Sequence, residues 1–474
     1  MPNSFAVLIL LIWPLIGVLI FRMIKDREQA IIASLVWSYL FLPSGVGFDL
    51  PAVPPLDKQS IPALVLLLLL IFSRNQTGSI VPTGRLLWLL LVLFIGGRFI
   101  TEAINSDPIY VASIVIPGSS MRDALSGIAR SLLFLLPFLI GYGFLYSKAA
   151  QFKLLYTLLI GGLIYSVILL IEVRVSPQFH IWVYGFFPHS FLQQVRAGGF
   201  RPVGFLWHGL YAAFFVMTCC VTACILLRER KFAKRLQATA KIRMNLGIVA
   251  IYMLFILVLC KTLGSLVFCL FLLPCVLLLT PKMQVRIAAV LVSIAILFPV
   301  LRGNDLFPTQ TILSMARSVS DKRADSLWVR FTNEDKLLER ANIRPVFGWG
   351  SWGRNRIYST TTGRDLTILD GYWIGVFGTA GWIGFLAQFG LLAVPVFKIL
   401  RRYRGDEANL SPITSGLCLL LAISMVELLP NSTIFPWTWL IAGALWAHAV
   451  KTSPVEDAVA SPREVLPKRP RTVL

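Results

Sequence analysis

Three polar stretches carry residue types that can do chemistry. The first runs Arg196-Ala-Gly-Gly-Phe-Arg201-Pro-Val-Gly-Phe-Leu-Trp-His208-Gly and leads straight into an apolar segment. Its glycines let the backbone approach a ligand, and two arginines five residues apart can face one anion. The bland alternative is a glycine-rich turn whose arginines snorkel at a membrane interface. The second runs Arg340-Ala-Asn-Ile-Arg344-Pro-Val-Phe-Gly348-Trp349-Gly-Ser-Trp352-Gly-Arg354-Asn-Arg356. Indole rings offer flat faces to sugars or headgroups, and guanidinium forks match phosphate oxygens. Read blandly, it is an aromatic belt with solvated charges. The third runs Asp370-Gly-Tyr372-Trp-Ile-Gly-Val-Phe-Gly378-Thr-Ala-Gly381-Trp-Ile-Gly384, a carboxylate at the mouth of a glycine-rich helix. Asp370 is either a helix N-cap or a group that faces substrate.

The elements that position these stretches follow from composition. Of 474 residues, 57% are hydrophobic and 14% charged, against about a quarter charged in soluble domains. Mean hydropathy is +0.75. The chain is expected to be all-α, a polytopic transmembrane bundle of about 12 to 14 helices with one large outward loop. Apolar runs lie at 5–21, 30–47, 60–73, 86–101, 125–147, 153–172, 205–227, 245–262, 264–280, 285–301, 372–397, 412–429 and 434–450. The expected body is 1–450, with the loop 302–371 inside it and a basic, proline-containing tail at 451–474. The first run lacks a preceding positive charge and a following cleavage site, and reads as a retained span.

Basic residues fix the orientation. Segments 22–27, 74–85, 148–153, 228–243, 282–286, 398–404 and 451 onward hold 3, 2, 2, 7, 2, 4 and 5 Lys+Arg and fall on every second inter-helix segment. The positive-inside rule places them all in the cytoplasm, and loops 48–60, 102–123, 173–204, 302–371 and 430–434 outside. Reporter fusions at Gly118, Gly199 and Ser326 are therefore expected to read external, and fusions at Gln237 and Asp406 cytoplasmic. A cytoplasmic signal at Ser326 would remove the large loop from the proposed outward face. Much of the net charge of +21 then sits against anionic membrane lipids. Nucleic acid is excluded as a partner, because the charge is spread over short loops without a folded basic module.

All seven cysteines, at 219, 220, 224, 260, 269, 275 and 418, fall in apolar runs and read as small hydrophobes. The four histidines lack partners at ligand spacing, so no metal and no cofactor is expected. Glu172, Lys261 and Glu427 mark helix ends, and no run shows a mid-membrane charge of the kind that marks an ion path. Residues 314 to 341 have helical periodicity, with Leu327, Phe331, Leu337 and Leu338 on one side, and predict one amphipathic helix lying along the surface.

On these features the chain resembles the O-antigen ligase and polymerase superfamily. The likeness covers residues 195 to 400 best. It rests on the arginine loop entering a helix, the Lys261-Thr-Leu-Gly264-Ser265 junction, the large loop with Arg-Pro-Val-Phe-Gly-Trp-Gly, and a polar residue opening a glycine-rich helix. In the ligases that helix opens with His, then Asn, Ser or Gln, nine residues and Gly. Here Asp370 and Gly371 precede nine residues and Gly381, so the spacing is kept and the histidine is replaced. That points toward a polysaccharide polymerase of the bacterial inner membrane.

The resemblance implies transfer of a glycan from an undecaprenyl-diphosphate-linked donor to a hydroxyl of a second glycan, on the periplasmic face and without metal. On that reading Arg196 or Arg201, together with Arg344 and Arg354, is expected to grip the departing diphosphate, with Trp349, Trp352 and His208 in the substrate-binding set. On the same resemblance Asp370 is expected to take the acceptor proton. Expected partners are the lipid-linked donor and acceptor, membrane lipids and other polysaccharide export proteins. A ligase, an exporter and a non-catalytic secretion subunit are the alternatives; an exporter predicts inverted repeats and midplane polar sites, which the sequence lacks.

Overall fold

The computed structural model describes residues 1–49, 54–72, 78–196, 198–229, 244–405 and 409–451. The basic segment 230–243, the tail beyond Lys451, Gln237 and Asp406 lie outside the described residues. Each apolar run forms a helix: α1 (Ser4–Met23), α2 (Arg27–Phe41), α3 (Ser60–Phe72), α4 (Arg85–Ala103), α5 (Met121–Phe144), α6 (Lys148–Val175), α8 (Gly209–Arg228), α9 (Leu246–Leu259), α10 (Leu263–Leu278), α11 (Pro281–Gly303), α14 (Tyr372–Arg402), α15 (Pro412–Glu427) and α16 (Pro436–Lys451). The connecting loops add the short α7 (Phe179–Tyr184), then α12 (Thr309–Val319) and α13 (Asp321–Asn342).

Seven helices, α1, α4, α5, α6, α8, α11 and α14, are long and apolar enough to cross a membrane. The chain is a predominantly helical membrane protein. Its lipid-suited faces show as exposed apolar residues at helical spacing: Leu8, Leu11 and Leu15 on α1, Leu89 and Val92 on α4, Ile248, Ile251 and Phe255 on α9. Inside, α8 is the most enclosed of the seven. Small residues bring backbones together, since a Cβ on Gly141 of α5 would lie 2.3 Å from the Leu440 carbonyl oxygen and one on Gly443 of α16 would lie 2.0 Å from that of Phe138. Membrane helices pack on such contacts because lipid gives them no hydrophobic drive to associate. All seven cysteines are buried free thiols.

The loops sort into two sets. Arg354 Nη1 donates to the Asp107 and Pro117 carbonyls, Lys58 Nζ to the Phe205 carbonyl, and Arg330 Nη1 to the Pro430 carbonyl. These bonds tie loop 302–371 to loops 102–123 and 430–434, and loop 48–60 to the backbone just before α8. The basic loops meet one another in turn: Lys153 pairs with Asp26 and Glu28, and Arg402 donates to the Ala449 carbonyl.

The predicted surface helix 314–341 is corrected in two ways. Ser320, extended at φ −173 and ψ 128, splits it into α12 and α13. Nor does α13 simply skim a surface, because Leu337, Leu338 and Ala341 are buried against the body. It is anchored by Arg302, whose Nη2 lies 2.5 Å from Asp335 Oδ1 and whose Nε lies 3.6 Å from Glu334 Oε2. Burial pushes the Glu334 carboxyl up to about 7, with Arg302 opposing.

Candidate functional site

The second and third polar stretches build one structure. Helix α14 is interrupted at Gly381, with φ 61 and ψ −165, a conformation essentially restricted to glycine. The freed backbone groups pair with segment 345–350: Trp382 N donates to the Pro345 carbonyl at 2.7 Å, Trp349 N to that of Gly378 at 2.9 Å and Gly350 N to that of Thr379 at 3.0 Å. Helix α4 closes the other side, where Thr101 Oγ1 and Asn105 Nδ2 donate to the Phe347 and Gly348 carbonyls. Non-helical backbone is tolerated near a membrane when its polar groups are met in this way. The break also folds the helix. Tyr372 and Gln388, whose side chains are hydrogen-bonded, would lie roughly 24 Å apart along a straight helix at 1.5 Å per residue.

Loop 344–356 is held by arginines acting as struts. Trp349 is 6% exposed, donates to the Arg340 carbonyl at 2.7 Å, and has the Arg340 and Arg344 guanidiniums 3.4 and 4.6 Å from its ring centre. Arg344 also donates to Asn105 Oδ1 and the Ile104 carbonyl. Arg354 is 1% exposed and spends its Nη1 on the two carbonyls of loop 102–123. Burial lowers its pKa, as does repulsion from Arg344. Trp349 and Arg354 thus hold the loop down.

What they hold down covers a cavity of about 750 Å³ bounded by α4, α5, Ser351, Trp352, Tyr372 and Gln388. Three arginines line it: Arg98 of α4, Arg122 and Arg130 of α5. Residues 122, 126 and 130 are successive turns of one helix face. Arg98 has Tyr372, Glu102 and Arg130 as its neighbours. Among the described residues, no carboxylate pairs with any of the three.

Asp49, Glu102 and Asp123 also line the cavity, and the last two are engaged by neighbouring hydroxyls. Glu102, 1% exposed, accepts from Ser119 Oγ at 2.5 Å and Ser351 Oγ at 2.6 Å. Asp123 closes a capping box with Ser120 and meets the Trp352 side chain. Trp352 is 57% exposed and sits at φ 63, a costly position for a bulky residue of the kind that collects at ligand sites.

Arg98 and Arg130 fall within the apolar runs 86–101 and 125–147, close to one end of each. The remaining predicted residues form a second group. Arg196 lies on the hairpin Val195–Arg196/Gly199–Phe200, and Arg201 Nε donates to the Lys261 carbonyl at 3.4 Å. Burial, then Arg196 and Arg330, bring Arg201 down to about 10. His208 caps α8, its Nδ1 accepting from Leu210 N at 3.0 Å, and burial with the cations around it pushes it down to about 3.

Asp370 lies outside the cavity, 3.3 Å from Arg330 Nε, and the cap of α14 is Gly371. Asp370→Asn therefore costs a partly exposed ion pair, about 0 to 1 kcal/mol, and is expected to leave the melting temperature in detergent within a few degrees of wild type; a large drop would mean that Asp370 anchors the fold. Of the eight residues chosen from sequence, Trp352 alone lines the cavity. Arg98, Arg122 and Arg130 were missed; their signal was three arginines inside or opening otherwise apolar runs. No protein-family model matches the chain, and no curated protein matches it significantly.

Proposed function

We propose that the chain is a membrane glycosyltransferase that joins undecaprenyl-diphosphate-linked oligosaccharide repeats into a polysaccharide, with the arginine-lined cavity as its donor site. The observation that carries this reading is three guanidiniums without carboxylate partners in one cavity, beside acids held by hydroxyls and an exposed indole. A glycosyl diphosphate needs both halves of that arrangement: forks for the phosphates, and carboxylates with an aromatic face for the sugar. In the transfer, a hydroxyl oxygen of the acceptor bonds to the anomeric carbon while the bond from that carbon to the diphosphate oxygen breaks. Negative charge builds on the leaving diphosphate, and arginines fixed on two helices stabilise it without reorganising. The cavity is walled by α4 and α5, both of which carry exposed apolar residues suited to lipid.

On this reading the loop-bearing end faces the periplasm of the bacterial inner membrane, and the partners are the lipid-linked donor and acceptor glycans. Gel analysis of surface glycan and lipid-linked intermediates in a deletion strain tests it. Accumulated single repeats are expected. Accumulated long lipid-linked chains would instead mean a ligase, and unchanged glycans would contradict both.

A further inference from the structure

A second cavity of about 360 Å³ adjoins the first, sharing Pro55 as a wall. Their linings also neighbour each other through Tyr211 of the smaller cavity and Tyr372 of the larger. The smaller one is lined by Tyr39, Trp207, Tyr211, Asp57 and Lys58. Lys58 is unusual: it is 7% exposed, on a loop, and among the described residues it has no carboxylate partner within ion-pair distance. Lysines are almost never this buried unpaired.

Its amine is held in a defined place. Nζ donates to Ser44 Oγ at 3.0 Å and to the Phe205 carbonyl at 3.1 Å, and Ser44 Oγ donates to that carbonyl at 2.8 Å, closing a triangle. The Tyr39 ring centre lies 4.9 Å away. Two of the nitrogen's positions are thus used on acceptors. In a neutral amine the one that remains is a lone pair, and the residue borders the cavity.

We propose that the smaller cavity is the acceptor subsite, that it takes the terminal sugar of the acceptor glycan against Trp207 and Tyr211, and that Lys58 Nζ receives the proton of the attacking hydroxyl. This rests on the donor assignment of the adjoining cavity. The acceptor oxygen bonds to the anomeric carbon, the carbon–oxygen bond to the diphosphate breaks with its electron pair leaving on the diphosphate, and the hydroxyl proton passes to Lys58. Burial supports the assignment by bringing the Lys58 ammonium down to about 7, with Asp57 opposing; the other titratable groups facing it are Tyr39 and His180, and burial keeps His180 down at about 4. Above that pH the amine is free to accept a proton, and below it the amine is blocked.

Membranes carrying the full-length protein, supplied with lipid-linked repeats extracted from the deletion strain, provide the test. Lys58→Met and Lys58→Arg are both expected to slow polymerisation by about 10²- to 10⁴-fold, with protein level and binding of undecaprenyl diphosphate unchanged. The wild-type rate is expected to rise with pH through about 7, and both variants to lose that limb. Arginine restores a buried cation and its hydrogen bonds but cannot act as a base, so it decides the matter even if the methionine variant fails to accumulate. Wild-type turnover in Lys58→Arg would make Lys58 a packing group and overturn the proposal while the donor assignment stands. Failure of the wild type itself to polymerise the extracted repeats would overturn the donor assignment and the acceptor subsite with it.

Discussion

Replacing Arg98, Arg122 and Arg130 with alanine is expected to abolish polymer formation at unchanged protein level. A desolvated charge-assisted hydrogen bond contributes about 1.5 to 3 kcal/mol, and each 1.36 kcal/mol is about tenfold in rate. Each single variant should therefore lose roughly 10- to 150-fold, and the triple variant on the order of 10³-fold or more. The protein should survive the change, because Arg122 and Arg130 are exposed and Arg98 is half-buried. Lysine in their place keeps the charge and loses the fork, so partial activity is expected. Polymer yield and accumulated lipid-linked repeats are the readouts. Full polymer from the triple variant would leave the cavity without its assigned role.

Gly381→Ala is expected to collapse the site by a different route. A Cβ there would lie 2.4 Å from the Val346 carbonyl carbon and oxygen and 2.6 Å from Phe347 N. These are backbone atoms, fixed by the pairing of segment 345–350, and cannot move aside cheaply. The glycine-only conformation adds about 1 to 3 kcal/mol. Lower protein level and a lower melting temperature in detergent should follow, with loss of activity. Gly96→Ala is the control, since a Cβ there meets nothing within 4 Å; it should be neutral. A Gly381→Ala protein as stable as wild type would mean that the break in α14 is not required.

The body of the fold was legible because a bilayer allows few solutions: long apolar runs must become helices, as all of them did. The cysteines read correctly for the same reason. Much of the site was not legible, and the reasons are local. Arg98 follows Gly96 and Gly97 in a run otherwise apolar enough to count as a span, so averaging hid it. Trp349 and Trp352 are alike in sequence and three residues apart, yet one is stacked between arginines and the other is exposed at the cavity. What separates them is the pairing of segment 345–350 with α14, a contact between distant segments. Arg354 was chosen for its fork, but carbonyls of loop 102–123 take its Nη1. The glycines of α14 signalled close backbone approach, but the ligand they approach is the protein's own loop. Lys58, a single lysine in the loop 48–60, gave no signal, since only the fold reveals its burial.

The central claim is that three arginines on α4 and α5 hold a lipid diphosphate. Its most direct test is the binding of undecaprenyl diphosphate and undecaprenyl monophosphate to the purified full-length protein, wild type and the Arg98→Ala/Arg122→Ala/Arg130→Ala variant. The wild type is expected to bind the diphosphate saturably and more tightly than the monophosphate, and the variant to lose this preference. Equal affinity for the two lipids in the wild type, or an unchanged preference in the variant, would contradict it.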